Sequence, residues 1–171
     1  RHLRSAGQVV MGSEIAILDA QGNELGLDTS GEVAVRGPGI AVGYWQQEEE
    51  SAKAFSNGWL RTGDAGRIDV EGYLFIEDRI KDMIISGGEN VFPAQVESAL
   101  RSHPALLECA VIGLPSELWG EQVHAIVRVN PGEEVTEAEL DQHIRQQLAG
   151  FKCPRSYTFR SEPFPISAAN K

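Results

Sequence analysis

Four short stretches of this 171-residue chain carry residue types suited to phosphates, sugars or narrow ligands. Gly63-Asp64 closes a strand-like run, Trp59-Leu60-Arg61-Thr62-Gly63-Asp64. A carboxylate held at a strand end accepts two hydrogen bonds from a vicinal diol, as an acidic residue does for ribose in dinucleotide folds. The same dipeptide also serves simply as a capped turn. Asp78-Arg79-Ile80-Lys81-Asp82 packs four charges into five residues between two strands. It reads either as a solvated linker or as an arginine that meets a phosphate or ribose, Arg79, followed by a hinge at Lys81. A hinge needs only a few positions that absorb a φ/ψ change. Ser86-Gly87-Gly88-Glu89-Asn90 places adjacent glycines after an apolar strand. They provide a turn that needs positive φ, or a place where the missing Cβ atoms let the backbone approach a narrow ligand. The segment lacks the Lys-Ser/Thr of a phosphate-binding Walker loop, which excludes that chemistry. Pro165-Ile166-Ser167-Ala168-Ala169-Asn170-Lys171 ends the chain with a lysine after small residues, a setting in which lysine is ordinarily solvated and inert.

Other chemistries find no support. His2, His103, His124 and His143 have no mutual spacing suited to a metal, and no Cys or carboxylate cluster joins them, so no metal site is expected. No Gly-x-Ser-x-Gly nucleophile elbow occurs. The formal charge is −10, with six Lys/Arg against thirteen Asp/Glu in residues 1–78 and nine against twelve in residues 79–171. That excess repels a phosphate backbone and argues against nucleic-acid binding, while leaving room for a local basic site. Cys109 and Cys153 are widely spaced and read as two reduced cysteines of a cytosolic protein. With 42% hydrophobic and 23% charged residues the composition is that of a globular protein. No apolar run approaches the ~18 residues needed to span a bilayer. Arg1–Gly7 lacks an initiator Met and the apolar core of a signal peptide, and opens in mid-pattern, so the chain reads as a fragment of something longer. Nothing in it specifies an oligomeric state.

The elements that must hold these residues differ between the two halves. In the first, alternating apolar residues predict strands at Glu14–Asp19, Glu32–Arg36, Trp59–Arg61, Gly66–Asp69 and Tyr73–Glu77, with a short helix at Glu48–Phe55. Many short strands separated by Gly turns suggest a small distorted barrel or sheet. After Asp78 the pattern changes. Strands are expected at Met83–Ser86, Glu108–Ile112, Gln122–Val129 and Ser156–Arg160. One helix opens at Pro93, suited to a first turn, and another follows the capping box Thr136–Glu139, with Leu140, Ile144 and Leu148 recurring every four residues. The fold expected is α+β: a β-rich part over residues 1–78 and a compact α/β domain over 79–171, a small mixed sheet flanked by helices.

These motifs also occur in a recognisable order. Gly31-Glu32-Val33-Ala34-Val35-Arg36-Gly37-Pro38-Gly39, Gly43-Tyr44-Trp45, Gly58-Trp59-Leu60-Arg61-Thr62-Gly63-Asp64, Gly72-Tyr73, the run Asp78–Val91 and Trp119-Gly120-Glu121 resemble successive core motifs of the adenylate-forming superfamily. Its members are acyl- and aryl-CoA synthetases, peptide-synthetase adenylation domains and beetle luciferases. The resemblance covers essentially the whole chain from Gly7 and makes it similar to the end of the large domain plus the mobile lid.

The resemblance implies a two-step reaction in which a carboxylate attacks ATP to give acyl-AMP and pyrophosphate, and the thiol of CoA then displaces AMP. By the same resemblance Asp64 holds the ribose hydroxyls, Arg79 also contacts the nucleotide, and Lys171 bridges the reacting carboxylate and α-phosphate, offsetting developing charge. Lys81 matches the hinge about which the lid rotates between half-reactions. The Gly87-Gly88 segment then meets the pantetheine arm of CoA, and Trp119 and Phe151 match positions that contact the CoA nucleotide in some relatives. Two positions depart from the pattern: Asn170 precedes the lysine where Gly is commoner, and Cys153 stands where some relatives place a CoA-binding arginine. The loop for the ATP phosphates, the Mg²⁺ site and the acyl pocket lie upstream in the family, so this chain alone is expected to have little or no ligase activity. Ser86–Val91 resembles CoA ligases more than peptide-synthetase adenylation domains. The competing readings are an adenylation domain that loads a carrier protein and a non-catalytic nucleotide- or protein-binding module.

Overall fold

A computed structural model of the chain describes residues 2–165. Its eleven strands and three helices run in the order β1 (Gly7–Gln8), β2 (Glu14–Leu18), β3 (Gly31–Arg36), α1 (Glu48–Ala54), β4 (Phe55–Ser56), β5 (Trp59–Ile68), β6 (Tyr73–Arg79), β7 (Ile84–Ser86), β8 (Glu89–Val91), α2 (Pro93–Arg101), β9 (Leu106–Ser116), β10 (Gly120–Val129), α3 (Glu137–Arg145) and β11 (Ser156–Phe159). The chain divides into two compact units, Arg1–Lys81 and Asp82–Lys171.

The first unit is one antiparallel sheet in the order β1-β6-β5-β3-β2, with β4 added beside β5. Among the described residues β1 pairs only with β6 and β2 only with β3, so the sheet stays open; of the barrel or sheet expected, it is a sheet. Alternation in β2 and β3 buries Ala16, Leu18 and Ala34, on which Trp59 packs. The two strands expected at Trp59–Arg61 and Gly66–Asp69 are one. β5 runs through Gly63-Asp64 without stopping, because β3 and β6 pair with it on both sides of that point. Arg79 is the last residue of β6, and Lys81 lies in a short 3-10 turn, Ile80–Asp82, where the chain passes from one unit to the next.

The second unit is a mixed sheet. β10 is antiparallel to β9 and β7 and parallel to β11, and β7 forms a hairpin with β8. Val123, Ala125 and Val127 of β10 are fully buried, with Val96 and Leu100 of α2 and Leu140 and Ile144 of α3 in the same core. α2 starts with Pro93 in its first turn, and Thr136 with Glu139 forms a reciprocal capping box at the start of α3. β9 is longer than its apolar run predicts and reaches through Gly113 and Pro115 to Ser116.

Among the described residues β9 pairs only with β10, which leaves its other edge without a strand. The Val111 N–H on that edge donates to Glu97 Oε1 of α2 at 3.0 Å. By the two-residue alternation of an antiparallel ladder, Cys109, Gly113 and Pro115 point the same way as Val111, and Pro115 has no N–H to offer.

Candidate functional site

The residues singled out by sequence fall into two groups, one in each unit, with Lys171 outside the described residues. In the first unit Asp64 faces Arg79 across the β5–β6 ladder. Arg79 Nε lies 3.0 Å from Asp64 Oδ1, and both side chains remain open to solvent, at 56% and 32% exposure. A carboxylate and a guanidinium side by side offer an acceptor for hydroxyls and a forked donor for anions.

The local sequence explains why Asp64 stands where it does. On one side of it Ala34 pairs with Arg61 and Glu32 with Ala65. Val33 alone therefore opposes Thr62, Gly63 and Asp64, so β5 bulges. On its other side the β5–β6 register shifts between Ala65 and Gly66. Bulges re-aim side chains and occur beside functional sites. Here the bulge needs Gly63 at φ +73°, a region that strains a residue bearing a Cβ. Asp64 is thus in the middle of a strand and not at a strand end.

The bulge is bonded at each step. Glu32 Oε1 accepts from the Gly63 N–H at 3.1 Å, while Glu32 Oε2 accepts from Arg61 Nε at 2.7 Å and from Arg61 Nη2 at 2.5 Å. Thr62 Oγ1 donates to the Val33 carbonyl at 2.8 Å and accepts from the Asp64 N–H at 3.1 Å. Sequence reasoning passed over Glu32, Arg61 and Thr62. All three lie inside the motifs quoted above, but their partnership depends on strand register.

In the second unit Gly87 and Gly88 form the two-residue turn of the β7–β8 hairpin, between Ser86 and Glu89, with φ +61° and +84°. Two positive φ values are the signature of the turn type that matches hairpin twist. The Gly87 N–H donates to the Trp119 carbonyl at 2.9 Å. A Cβ on Gly87 would stand 2.8 Å from Cε3 of the Trp119 ring, whereas one on Gly88 would meet nothing within 4 Å. The turn and the indole are therefore one surface. The Arg155 guanidinium lies 4.1 Å from the Trp119 ring centroid and covers it. Phe151, in a short 3-10 turn, is partly exposed and has the Lys152 ammonium 5.7 Å from its ring. Cys153 is buried, with its thiol 3.6 Å from the Ala149 carbonyl oxygen. The cation beside the turn is thus Arg155, a residue the sequence did not single out.

Spacing also missed one grouping. His2 Nε2 lies 2.6 Å from Glu71 Oε2, and His2 Nδ1 lies 3.7 Å from Asp69 Oδ2, with the ring stacked on Tyr73 at 3.9 Å. A histidine–carboxylate hydrogen bond and an aromatic stack account for it.

Residues 95–171 match the family described as AMP-binding enzyme C-terminal domain. Over its length the chain is similar to the C-terminal part of ligases of the adenylate-forming superfamily. It is 42% identical to a fatty acid–[acyl-carrier-protein] ligase of Streptomyces coeruleorubidus over 92% of its own length and 30% of that protein's. It is 44% identical to a long-chain-fatty-acid–CoA ligase of Mycobacterium tuberculosis over 100% of its length and 33% of that protein's. Among solved structures, o-succinylbenzoate CoA synthetase from Bacillus subtilis, in complex with its acyl-adenylate intermediate, superposes with a TM-score of 0.89 at 39% identity, covering 99% of this chain and 34% of that one. The chain spans about a third of the length of the relatives it matches.

Proposed function

We propose that this chain carries the nucleotide-holding strand pair and the lid of an ATP-dependent, AMP-forming acid–thiol ligase, cytoplasmic, that makes acyl-CoA. The observation that supports it most is the bulged strand that sets the carboxylate of Asp64 beside the guanidinium of Arg79. In this reading Asp64 accepts hydrogen bonds from both ribose hydroxyls, and Arg79 fixes that carboxylate while its remaining N–H groups face the nucleotide. Lys171 brings positive charge to the α-phosphorus as the carboxylate oxygen bonds to it and the bond to pyrophosphate breaks. The lid then turns about Lys81. Gly87 and Gly88 come to line the path of the pantetheine arm, and Trp119 with Arg155 offers a face for the rest of CoA. The thiol loses its proton to solvent, its sulfur bonds to the acyl carbon, and AMP leaves with the acyl C–O bond electrons. Mg²⁺, whose site would lie outside these residues, would supply charge neutralisation for the nucleotide.

The residues present fit these ligands in type: an exposed carboxylate with an adjacent donor for a diol, and a turn with no Cβ beside an aromatic face for a thin arm. Transfer to a carrier protein is a second reading, favoured by the similarity to an acyl-carrier-protein ligase.

The test is a panel of fatty, aryl and alicyclic carboxylates assayed with the full-length protein for pyrophosphate release, with CoA and a phosphopantetheinylated carrier protein as alternative acceptors. Carboxylate-dependent release of pyrophosphate, with AMP and an acyl-CoA as products, is expected. Acyl transfer to the carrier alone would select the second reading. Nucleotide binding with no release for any acid would leave a non-catalytic module and overturn the proposal.

A further inference from the structure

We infer that Glu32 is a positioning residue for Asp64: its carboxylate, with the Thr62 hydroxyl, holds the bulge that aims Asp64 at the nucleotide. The inference rests on the reading of Asp64 as the ribose acceptor. Three observations carry it. First, Glu32 is one strand away from Asp64 and its side chain is only 12% exposed, so its charge is spent inside the protein. Second, its two oxygens are divided between two jobs. One is bound by Arg61 on the near side of the bulge, and the other accepts the N–H of Gly63 at the bulge itself. Third, Thr62 ties the bulge to β3 through the Val33 carbonyl and to Asp64 through its amide.

Physical reasoning connects these facts to function. Gly63 sits at positive φ, and glycine is the residue that loses most freedom when fixed. Left to itself, a glycine beside a surface carboxylate samples many conformers, and Asp64 would swing with it. A largely shielded carboxylate that accepts the Gly63 amide removes that freedom. A charged acceptor makes the bond about twice as strong as a neutral one. Arg61 in turn neutralises Glu32, which makes its burial tolerable. Misplacing a binding group by about 1 Å costs up to ~100-fold in rate, so a loosened Asp64 amounts to a weakened one.

The experiment uses the full-length protein and compares ATP with 2′-deoxy-ATP and 3′-deoxy-ATP in carboxylate-dependent pyrophosphate release. Wild type is expected to prefer ATP by about tenfold or more, and Asp64→Ala to lose that preference, since a hydrogen bond to a charged group is worth roughly 1.5–3 kcal/mol. Glu32→Gln is expected to raise KM for ATP about tenfold with a smaller change in kcat, and to lower the preference toward that of Asp64→Ala, the pattern of lost binding. In the Asp64→Ala background Glu32→Gln should add little, because two residues acting through one contact are not additive. Thr62→Val, which keeps the shape and leaves the Glu32–Arg61 pair untouched, should move the preference in the same direction. It decides the matter if Glu32→Gln fails to fold. Glu32→Gln or Thr62→Val with an unchanged preference for ATP, whatever its melting temperature, overturns the inference. A wild type that shows no preference, with Asp64→Ala unchanged, shows that the ribose assignment itself is wrong and takes the inference down with it. Asp64→Ala alone distinguishes the two failures.

Discussion

Asp64 and Arg79 are a cross-strand pair, and cross-strand pairs of opposite charge contribute less than about 1 kcal/mol at a surface. Stability alone therefore does not account for their placement. At this scale the sequence was legible where a motif names its own residues: Gly63-Asp64 and Asp78-Arg79 could be singled out by type and neighbours. Glu32 could not. Nothing within ten residues of it identifies a partner, and its bonds to Arg61 and Gly63 come from register between β3 and β5. The role proposed for Lys171, positive charge delivered to a reacting phosphate, makes a prediction at the same scale. Lys171→Ala in the full-length protein should slow adenylation about 100- to 1,000-fold, the loss seen when a group aimed at transition-state charge is removed. Thioester formation from supplied acyl-AMP should stay close to wild type. Single-turnover measurement of each half-reaction checks this, and equal loss in both would contradict the division of roles.

Among elements, the β7–β8 hairpin is the most demanding of its residues. Its two glycines share positive φ but differ in surroundings, and that difference makes a paired prediction. Gly88→Ala meets open space and should cost only the backbone strain, about 1–2 kcal/mol. Gly87→Ala carries the same strain and also places a methyl 2.8 Å from the Trp119 ring, so it should cost more and shift indole fluorescence. Urea titration of the two variants of this chain would check the order, and equal losses would count against the packing described. Periodicity located the helices well, since Pro93 and the Thr136–Glu139 box mark their starts chemically. It split β5 in two because Thr62-Gly63-Asp64 reads locally as a break. Pairing on both flanks carries the strand across a bulge that no single-strand pattern contains.

At the scale of the whole molecule, the second unit contains groups whose ionisation in base is opposed by folding. Burial pushes the Cys109 thiol up to about 11, and burial also raises Cys153 and the Tyr157 hydroxyl. All three belong to the unit Asp82–Lys171. In the unfolded chain the thiols ionise near the ordinary value of 9.0, whereas the folded unit keeps them protonated. Their contribution to stability is whole below about pH 9 and is lost as pH rises through the raised folded values, about 11 for Cys109. The melting temperature of the chain should therefore decline over that range, and the Cys109→Ala, Cys153→Ala pair should decline less steeply. A slope unchanged by the two substitutions would show that the thiols are not responsible. The division into a β-rich part and an α/β part was legible from the change of pattern after Asp78. The place of Arg79 was not, because its strand pairing ties it to the first unit.

The outer side of β9 has a consequence for crowding. An eleven-residue strand whose outer flank carries no strand among the described residues is the kind of edge on which a second copy can add and begin a fibre. An incoming chain would find the Val111 donor already occupied by Glu97 and a missing donor at Pro115. Two of the four outward N–H donor positions at Cys109, Val111, Gly113 and Pro115 are therefore unavailable to it, which weakens pairing along that flank.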